Sequence, residues 1–166
     1  MSNIRLCRDD EHSVVLAIVN TAAEAYRGVI PDDCWHEPYM PPDELASEIA
    51  AGVAFWVYET RGVLLGTMGF QPVRDVDLIR HAYVRPGRQR LGIGTALLAH
   101  LRRLSRRQIL VGTWAAADWA IRFYQDHGFV LVSPAAKDTL LKTYWTIPSR
   151  QIETSVVLAN PPLDEV

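Results

Sequence analysis

The stretch VRPGRQRLGIGTALLAHLRRL, Val84–Leu104, sets three arginines and three glycines directly before a run of helical periodicity. Ile93, Ala96, Leu97 and Leu101 recur at i, i+3, i+4 and i+8, which predicts a helix opening at Gly92. Pro86 stops the preceding strand from simply continuing. A strand that passes through glycines into a helix start builds an anion site from backbone alone, because unpaired N–H groups converge there and the helix dipole adds partial positive charge. Gly92 and Gly94 remove the side chains that would keep phosphate oxygens away, while Arg88, Gln89 and Arg90 supply further donors.

The spacing separates this loop from the other glycine-rich phosphate binders. A Walker A loop ends in Gly-Lys-Ser/Thr, whereas Gly94-Thr95 has no lysine nearby. A dinucleotide fingerprint needs a third glycine where Leu97 stands. Charge is uneven around the loop: Leu78–Ala117 holds eight arginines (80, 85, 88, 90, 102, 103, 106 and 107) and no acid, so a chain of net charge -2 carries -10 elsewhere. Such asymmetry suits an anionic ligand. Nucleic acid is disfavoured, because the pI is near 6.2 and no aromatic residue interleaves with the helix arginines.

With 166 residues, 49% of them apolar, the chain is expected to form one domain over 1–160 with a tail at 161–166, in the α/β (α+β) class. Cys7 and Cys34 stand in no metal-ligand or CxxC spacing, so no metal site is expected and unpaired thiols in a reducing compartment are. The opening MSNIRLCRDDEH lacks the apolar core of a signal peptide, and no run approaches the roughly 18 apolar residues of a membrane span. A cytoplasmic protein with no membrane partner is the expectation.

Working outward, IRLCR reads as a strand and HSVVLAIVNTAAEAY as a helix capped by Asp9 or Asp10. RGVIPDDCWHEPYMPP is a chemically varied loop, and PDELASEIAAG a short helix. VAFWVYET and VLLGTMGFQPV flank a two-residue turn as a hairpin, followed by the strand DLIRHAYV. Beyond the glycine loop come the strand QILVGTWA, the helix DWAIRFYQDHG capped by Asp118, the strand FVLVS, the helix AAKDTLLKTYW and a last strand QIETSVVLAN. That last strand, placed at the sheet edge, would offer a surface on which two copies pair as a homodimer.

Two elements together carry a resemblance. Gln89-Arg90-Leu91-Gly92-Ile93-Gly94, preceded by Val84-x-Pro86, is similar to the pyrophosphate motif Gln/Arg-x-x-Gly-x-Gly/Ala of the GNAT acyltransferase superfamily. About thirty residues on, AIRFYQDHGFVLV resembles the family's Ala-x-x-Phe-Tyr-x-x-x-Gly-Phe segment, with Ala120, Phe123, Tyr124, Gly128 and Phe129 in place. The likeness covers roughly Val53–Val132. It implies a mixed, mostly antiparallel sheet of six to seven strands with helices on both faces. The strand ending at Val84 and the strand ILVGTWA would run parallel at its centre and splay apart around acetyl-coenzyme A.

On this resemblance the diphosphate of the cofactor lies on the N–H groups of Gln89, Arg90, Leu91, Gly92, Ile93, Gly94 and Thr95, and its pantetheine arm along Ala82 and Val84. The Val84 N–H polarises the thioester carbonyl, and Tyr124 faces the departing thiolate. The activity implied is N-acetylation of a primary amine, on a small molecule or a peptide; the alternative is a module that binds acyl-coenzyme A without turnover. Departures from the pattern fall on the base. Family members that carry it on this strand place Glu or His four or six residues before Val84, where this chain has Arg80 and Leu78. Unbroken alternation aims Arg80 at the acceptor and His81 away from it unless a bulge intervenes. Asp75, Asp77, Glu59, His36, Glu37 or a water chain remain open as bases, and His81 joins them only if a bulge turns it to the cleft, with Arg80, His36 and Trp114 as acceptor contacts. Ala117 stands where many members have a cofactor-binding asparagine, so Thr113 or Trp114 would replace that contact.

Overall fold

The computed structural model describes residues 1–164, which leaves Glu165 and Val166 of the expected tail outside the described residues. Seven strands form one sheet: β1 (Ser2–Leu6), β2 (Ala54–Thr60), β3 (Val63–Val73), β4 (Val76–Val84), β5 (Ile109–Trp114), β6 (Val130–Leu131) and β7 (Ser155–Asn160). Their spatial order is β1-β2-β3-β4-β5-β7-β6. All neighbours are antiparallel except the central β4–β5 pair, which is parallel. Six α-helices accompany the sheet: α1 (His12–Ala22), α2 (Pro42–Ala50), α3 (Ile93–Leu104), α4 (Asp118–Asp126), α5 (Pro134–Tyr144) and α6 (Ser149–Glu153). The sequence expectation of a mixed sheet with helices on both faces and a central parallel pair is met, in its seven-stranded form. Among the described residues no helix is long and apolar enough to cross a membrane.

Two of the three core clusters lie on opposite faces of the sheet, the third packing α5 on β5 and β7 through Leu141, Leu110 and Val157. On one, Ile93, Leu97, Leu98 and Leu101 of α3 pack on Met68, Ile79 and Val111, with Ala82, Val84 and Tyr124 against them. On the other, Val15, Ile18 and Val19 of α1 and Leu45 of α2 cover Phe55, Val57 and Leu64, with Tyr83 alongside. The β2–β3 hairpin closes through Arg61 and Gly62, both at positive φ (53° and 78°), the backbone that a two-residue turn of matching twist requires.

The sheet departs from the sequence reading where the periodicity could not decide. QIET is mostly helix: Pro148 fixes the φ that starts α6, so only Ser155–Asn160 pairs as a strand. FVLVS contributes only Val130–Leu131. These two residues pair on the outer side of β7, so the last strand lies inside the sheet and β1 and β6 form its edges. Pairing of two copies through the last strand therefore loses its basis. No Asp9 or Asp10 cap forms; a turn of 3-10 helix over Asp9–Glu11 leads into α1, and Glu11 accepts the Arg8 N–H at 2.8 Å. Asp118 is the first residue of α4, not its side-chain cap.

The largest consequence for the site is a β-bulge. Thr67 faces Tyr83 and Gly69 faces Arg80, so Met68 alone opposes His81 and Ala82. His81 sits at φ 53°. A bulge reverses the alternation downstream, so Ala82 and Val84 join the α3 core while Tyr83 joins the α1 core. Arg80 and Leu78 accordingly do not share a face with Val84, and His81 lies beside Arg80. That overturns the expectation drawn from unbroken parity and meets the condition set for His81, which borders the space where β4 and β5 part.

Gly69 makes this geometry possible, since a Cβ there would sit 2.8 Å from the Arg80 carbonyl oxygen, a backbone atom with no freedom to move aside. Gly69→Ala is expected to cost about 1–3 kcal/mol in chemical denaturation. A second expectation concerns Glu11, which accepts two hydrogen bonds from Arg5 at 2.8 Å. These, followed by the Arg8 N–H, hold its carboxyl at about 2, below the ordinary 4.5. Its stabilisation is present above about pH 4.5 and lost as pH falls toward 2. The gap in melting temperature between the natural chain and Glu11→Gln should close over that window.

Candidate functional site

The parallel ladder between β4 and β5 is three residue pairs long, Asp77–Ile109, Leu78–Leu110 and Ile79–Val111. Past Ile79 the strands part, and the gap holds a cavity of about 120 Å³ bordered by Arg80–Tyr83 on one side and Gly112–Trp114 on the other. The Arg85 N–H bonds the Leu65 carbonyl of β3 at 2.8 Å, so by alternation the Val84 N–H points the opposite way, toward the gap. Likewise the Ala115 N–H bonds Thr154 on the β7 side at 2.8 Å, which turns the Trp114 N–H toward the gap. Two strand edges with unmet backbone groups thus face each other.

At one end of this gap lies the glycine turn. Pro86–Gly92 is exposed, Arg90 and Gly92 have φ of 67° and 80°, and α3 begins at Ile93. Among the described residues, none of the N–H groups from Gln89 to Thr95 has a hydrogen-bond acceptor. A Cβ on Gly94 would meet the Phe123 ring at 3.4 Å and Val84 Cγ2 at 3.9 Å, so the turn, β4 and α4 converge here. Thr95 Oγ1 and His127 Nε2, 3.0 Å apart, tie α3 to the end of α4, and Arg102 adds a bond to the His127 carbonyl at 2.9 Å.

Tyr124 projects from α4 into the cavity. It is 5% exposed and its hydroxyl makes no hydrogen bond among the described residues. Burial, and then the proximity of Tyr26, push its ionisation well above that of an ordinary tyrosine. The hydroxyl is therefore a proton donor and not an anion.

Of the residues expected to contact an acceptor, Arg80 and Trp114 line the cavity. Arg80 is already committed: its guanidinium donates to Gln71 at 3.2 Å and to Glu48 at 3.1 Å. His36 is not brought to the cavity; it is exposed, with Nδ1 3.2 Å from the Pro38 carbonyl and its ring on Tyr39. The carboxylates considered as bases are occupied elsewhere. Asp75 accepts from Tyr144, Asp77 from Ser105 and Arg107, Glu59 from Arg5, and Glu37 from Arg27 and Trp35. Thr113 borders the cavity whereas Ala117 is fully buried.

Three participants escaped the sequence reading. Glu48 of α2 pairs with both His81 and Arg80. Burial alone would raise its carboxyl, but the hydrogen bond from His81 and the charges of His81 and Arg80 outweigh that, and the net shift is downward. Tyr26, just before the loop RGVIPDDCWHEPYMPP, and Tyr39, within it, line the cavity, with the Trp114 indole N–H donating to Tyr39 Oη at 2.7 Å. No spacing links these positions to β4; a hint lay only in the density of aromatics around the loop.

Comparison with known proteins follows this geometry. Residues 51–131 match the family model described as the acetyltransferase (GNAT) domain. No curated protein sequence matches the chain. The fold is similar to that of the PaiA N-acetyltransferase of Thermoplasma acidophilum in complex with coenzyme A, at 13% identity and TM-score 0.73 over 96% of this chain and 98% of that one. It also resembles the ribosomal-protein-S18-alanine N-acetyltransferase of Escherichia coli, at 18% identity and TM-score 0.67 over 96% and 92%. A third likeness is to yncA of Salmonella typhimurium with its cofactor acetyl-CoA, at 18% identity and TM-score 0.65 over 100% and 96%. At such identities the likeness speaks for the fold, while the matched segment spans the hairpin, the bulged strand, the glycine turn and α4. Residues 51–131 thus match a GNAT acetyltransferase domain, and the chain as a whole has a GNAT-like fold.

Proposed function

We propose that the chain, as one domain over 1–160, is an acetyl-coenzyme A dependent N-acetyltransferase that acts on a primary amine by direct attack in a ternary complex. The observation that carries this reading is the split of β4 from β5 after Ile79–Val111, with unpartnered N–H groups at its mouth and the Tyr124 hydroxyl inside. Acetyl-coenzyme A, when bound, supplies the acyl group as an activated thioester.

The residues present fit such a group. The N–H groups of Gln89–Thr95 and the dipole of α3 suit a diphosphate, and Arg88 and Arg90 beside them carry no internal ion pair among the described residues. The exposed edges at Ala82, Val84 and Trp114 can pair with amides as an added strand would. The Val84 N–H is placed to donate to the acyl oxygen, a fixed dipole in a water-poor gap. Tyr124, held protonated by burial, is placed to donate to the leaving sulfur. The amine arrives from the side of Tyr26, Tyr39 and Trp114.

If Tyr124 serves this end, Tyr124→Phe should lower kcat about 10- to 100-fold and leave acetyl-coenzyme A binding within about threefold. For the turn, Gly92→Asp is the sharper probe. A Cβ at Gly92 meets nothing within 4 Å, and Asp tolerates the left-handed backbone at a helix start better than most residues. The variant should lose only a few degrees of melting temperature to the left-handed backbone at φ 80° and weaken coenzyme A binding tenfold or more by calorimetry, since a carboxylate would occupy the phosphate position. Tight binding of acetyl-coenzyme A with no thiol release across a broad amine panel would instead favour a module that binds the cofactor without transfer.

A further inference from the structure

Resting on the acetyltransferase reading, we propose that the acceptor is a monoamine on a planar aromatic body, an arylalkylamine, received in an aromatic box that offers it no carboxylate. The cavity is lined by Tyr26, Tyr39, Tyr83, Trp114, Tyr124 and Trp145, and no Asp or Glu borders it. Its one permanently charged lining residue, Arg80, is neutralised by Glu48. The ring contacts continue outward from the lining. Trp119, 46% exposed, stacks on Tyr26 with centroids 5.9 Å apart and planes at 24°. Tyr26 meets Tyr39 at 5.6 Å, and Tyr39 meets Trp35 at 5.6 Å, where the row ends: the Arg27 guanidinium lies 4.6 Å over the Trp35 ring and is paired with Glu37, which also accepts the Trp35 N–H.

The polar ends of Tyr26, Tyr39, Tyr83 and Trp114 are engaged with one another or with Thr113, while the Tyr124 hydroxyl is left for the cofactor's sulfur. Trp114 donates to Tyr39 Oη at 2.7 Å, and the Tyr26 hydroxyl interacts with those of Tyr83 and Thr113. What the row offers a ligand is therefore ring surface. The cavity holds about 120 Å³ and opens toward the outer aromatics, so the acceptor's ring is placed against them with its amine reaching inward.

Charge decides between acceptor classes. A polyamine or aminoglycoside brings several ammonium groups, and every one that enters must shed water with no carboxylate to replace it. A single amine meets the opposite situation. It has to lose its proton to attack, and a desolvating environment favours the neutral form, so the cavity itself raises the nucleophilic fraction. Ring faces stabilise the cationic form on the way in. This accounts for a site in which no carboxylate stands as base.

The test measures thiol release from acetyl-coenzyme A with 2-phenylethylamine, hexylamine, spermidine and a peptide with an N-terminal alanine. In parallel, tryptophan fluorescence of the coenzyme A-saturated protein reads binding of each amine. The expected order in kcat/KM is phenylethylamine about tenfold above hexylamine and well above spermidine and the peptide. Tyr39→Leu should collapse the phenylethylamine-to-hexylamine ratio toward one, whereas Tyr39→Phe should preserve it, both with unchanged coenzyme A affinity as the check on folding. Preference for spermidine, hexylamine or the peptide, or a ratio that Tyr39→Leu does not move, overturns the proposal and leaves the acetyltransferase reading standing. Should no amine be acetylated, that reading fails, and the fluorescence arm still decides the pocket: tighter binding of phenylethylamine than of spermidine supports it, and equal or reversed binding overturns it.

Discussion

The structure turns on a parallel strand pair that is not allowed to continue. Backbone N–H and C=O groups inside a protein are costly when unmet, so two adjacent strands would ordinarily zip to their ends. Here three residue pairs form and the rest do not. The causes are local. On β4, the extra residue at His81–Ala82 adds twist and re-aims the strand. On β5, Gly112 accommodates the Trp145 ring, whose Cζ2 would lie 3.4 Å from a Cβ there, while Tyr124 enters from α4. Each strand is secured on its outer side, β4 by β3 and β5 by β7, so the sheet tolerates an open centre.

The bulge needs its own support, because a histidine at φ 53° is an uncommon conformation for a residue with a Cβ. That support comes from α2. Glu48 receives both His81 and Arg80, Arg80 also reaches Gln71, and Gln71 donates to the Ala51 carbonyl at the end of the helix. The His81 ring lies against Phe55 with centroids 5.9 Å apart. A half-buried carboxylate shared by an arginine and a histidine adds little net stability over an apolar packing of the same volume, yet it penalises any register in which one partner is withdrawn. The cluster thus specifies the bulge more than it strengthens the fold. Because the Glu48 carboxyl lies below its ordinary value in the folded chain, its contribution holds at neutral pH and fades on acidification through that lowered value.

How much of this could be read from sequence depends on the range over which each feature is determined. The glycine turn, the helix after it and the Phe123-Tyr124 segment are local, and their residues specify backbone geometry directly; all three lie where the sequence reading put them. The bulge is different. Nothing within DLIRHAYV announces that Met68 will face two residues, since the cause lies in Gly69 across the ladder and Glu48 on a separate helix. Strand order failed for a similar reason: the outer place of β6 is set by α4 delivering Val130 to the far side of β7. Ile152 and Thr154 alternate as in a strand, yet Pro148 starts a helix ahead of them, and a four-residue pattern cannot tell the two periods apart. Tyr26, Tyr39 and Glu48 reach the site from beyond any motif.

The arginine excess of the central segment acquires a different meaning once its members are placed. Arg80 is bound to Glu48, Arg85 to the Leu64 carbonyl at 2.6 Å, Arg102 to the His127 carbonyl, and Arg107 to Asp77 and the Arg74 carbonyl. Half of the group therefore fastens α3, β4 and the turn to their neighbours. Arg88 and Arg90 stand at the glycine turn, while Arg103 and Arg106 lie along or just past the far end of α3. A helix face built to track a nucleic-acid backbone would keep its cations in one uninterrupted row; this one divides them between structure and a single short loop. The gap in the sheet therefore joins two unlike environments, a cationic turn made of backbone and a neutral wall made of rings. A molecule that spans them must be anionic at one end and indifferent to charge at the other.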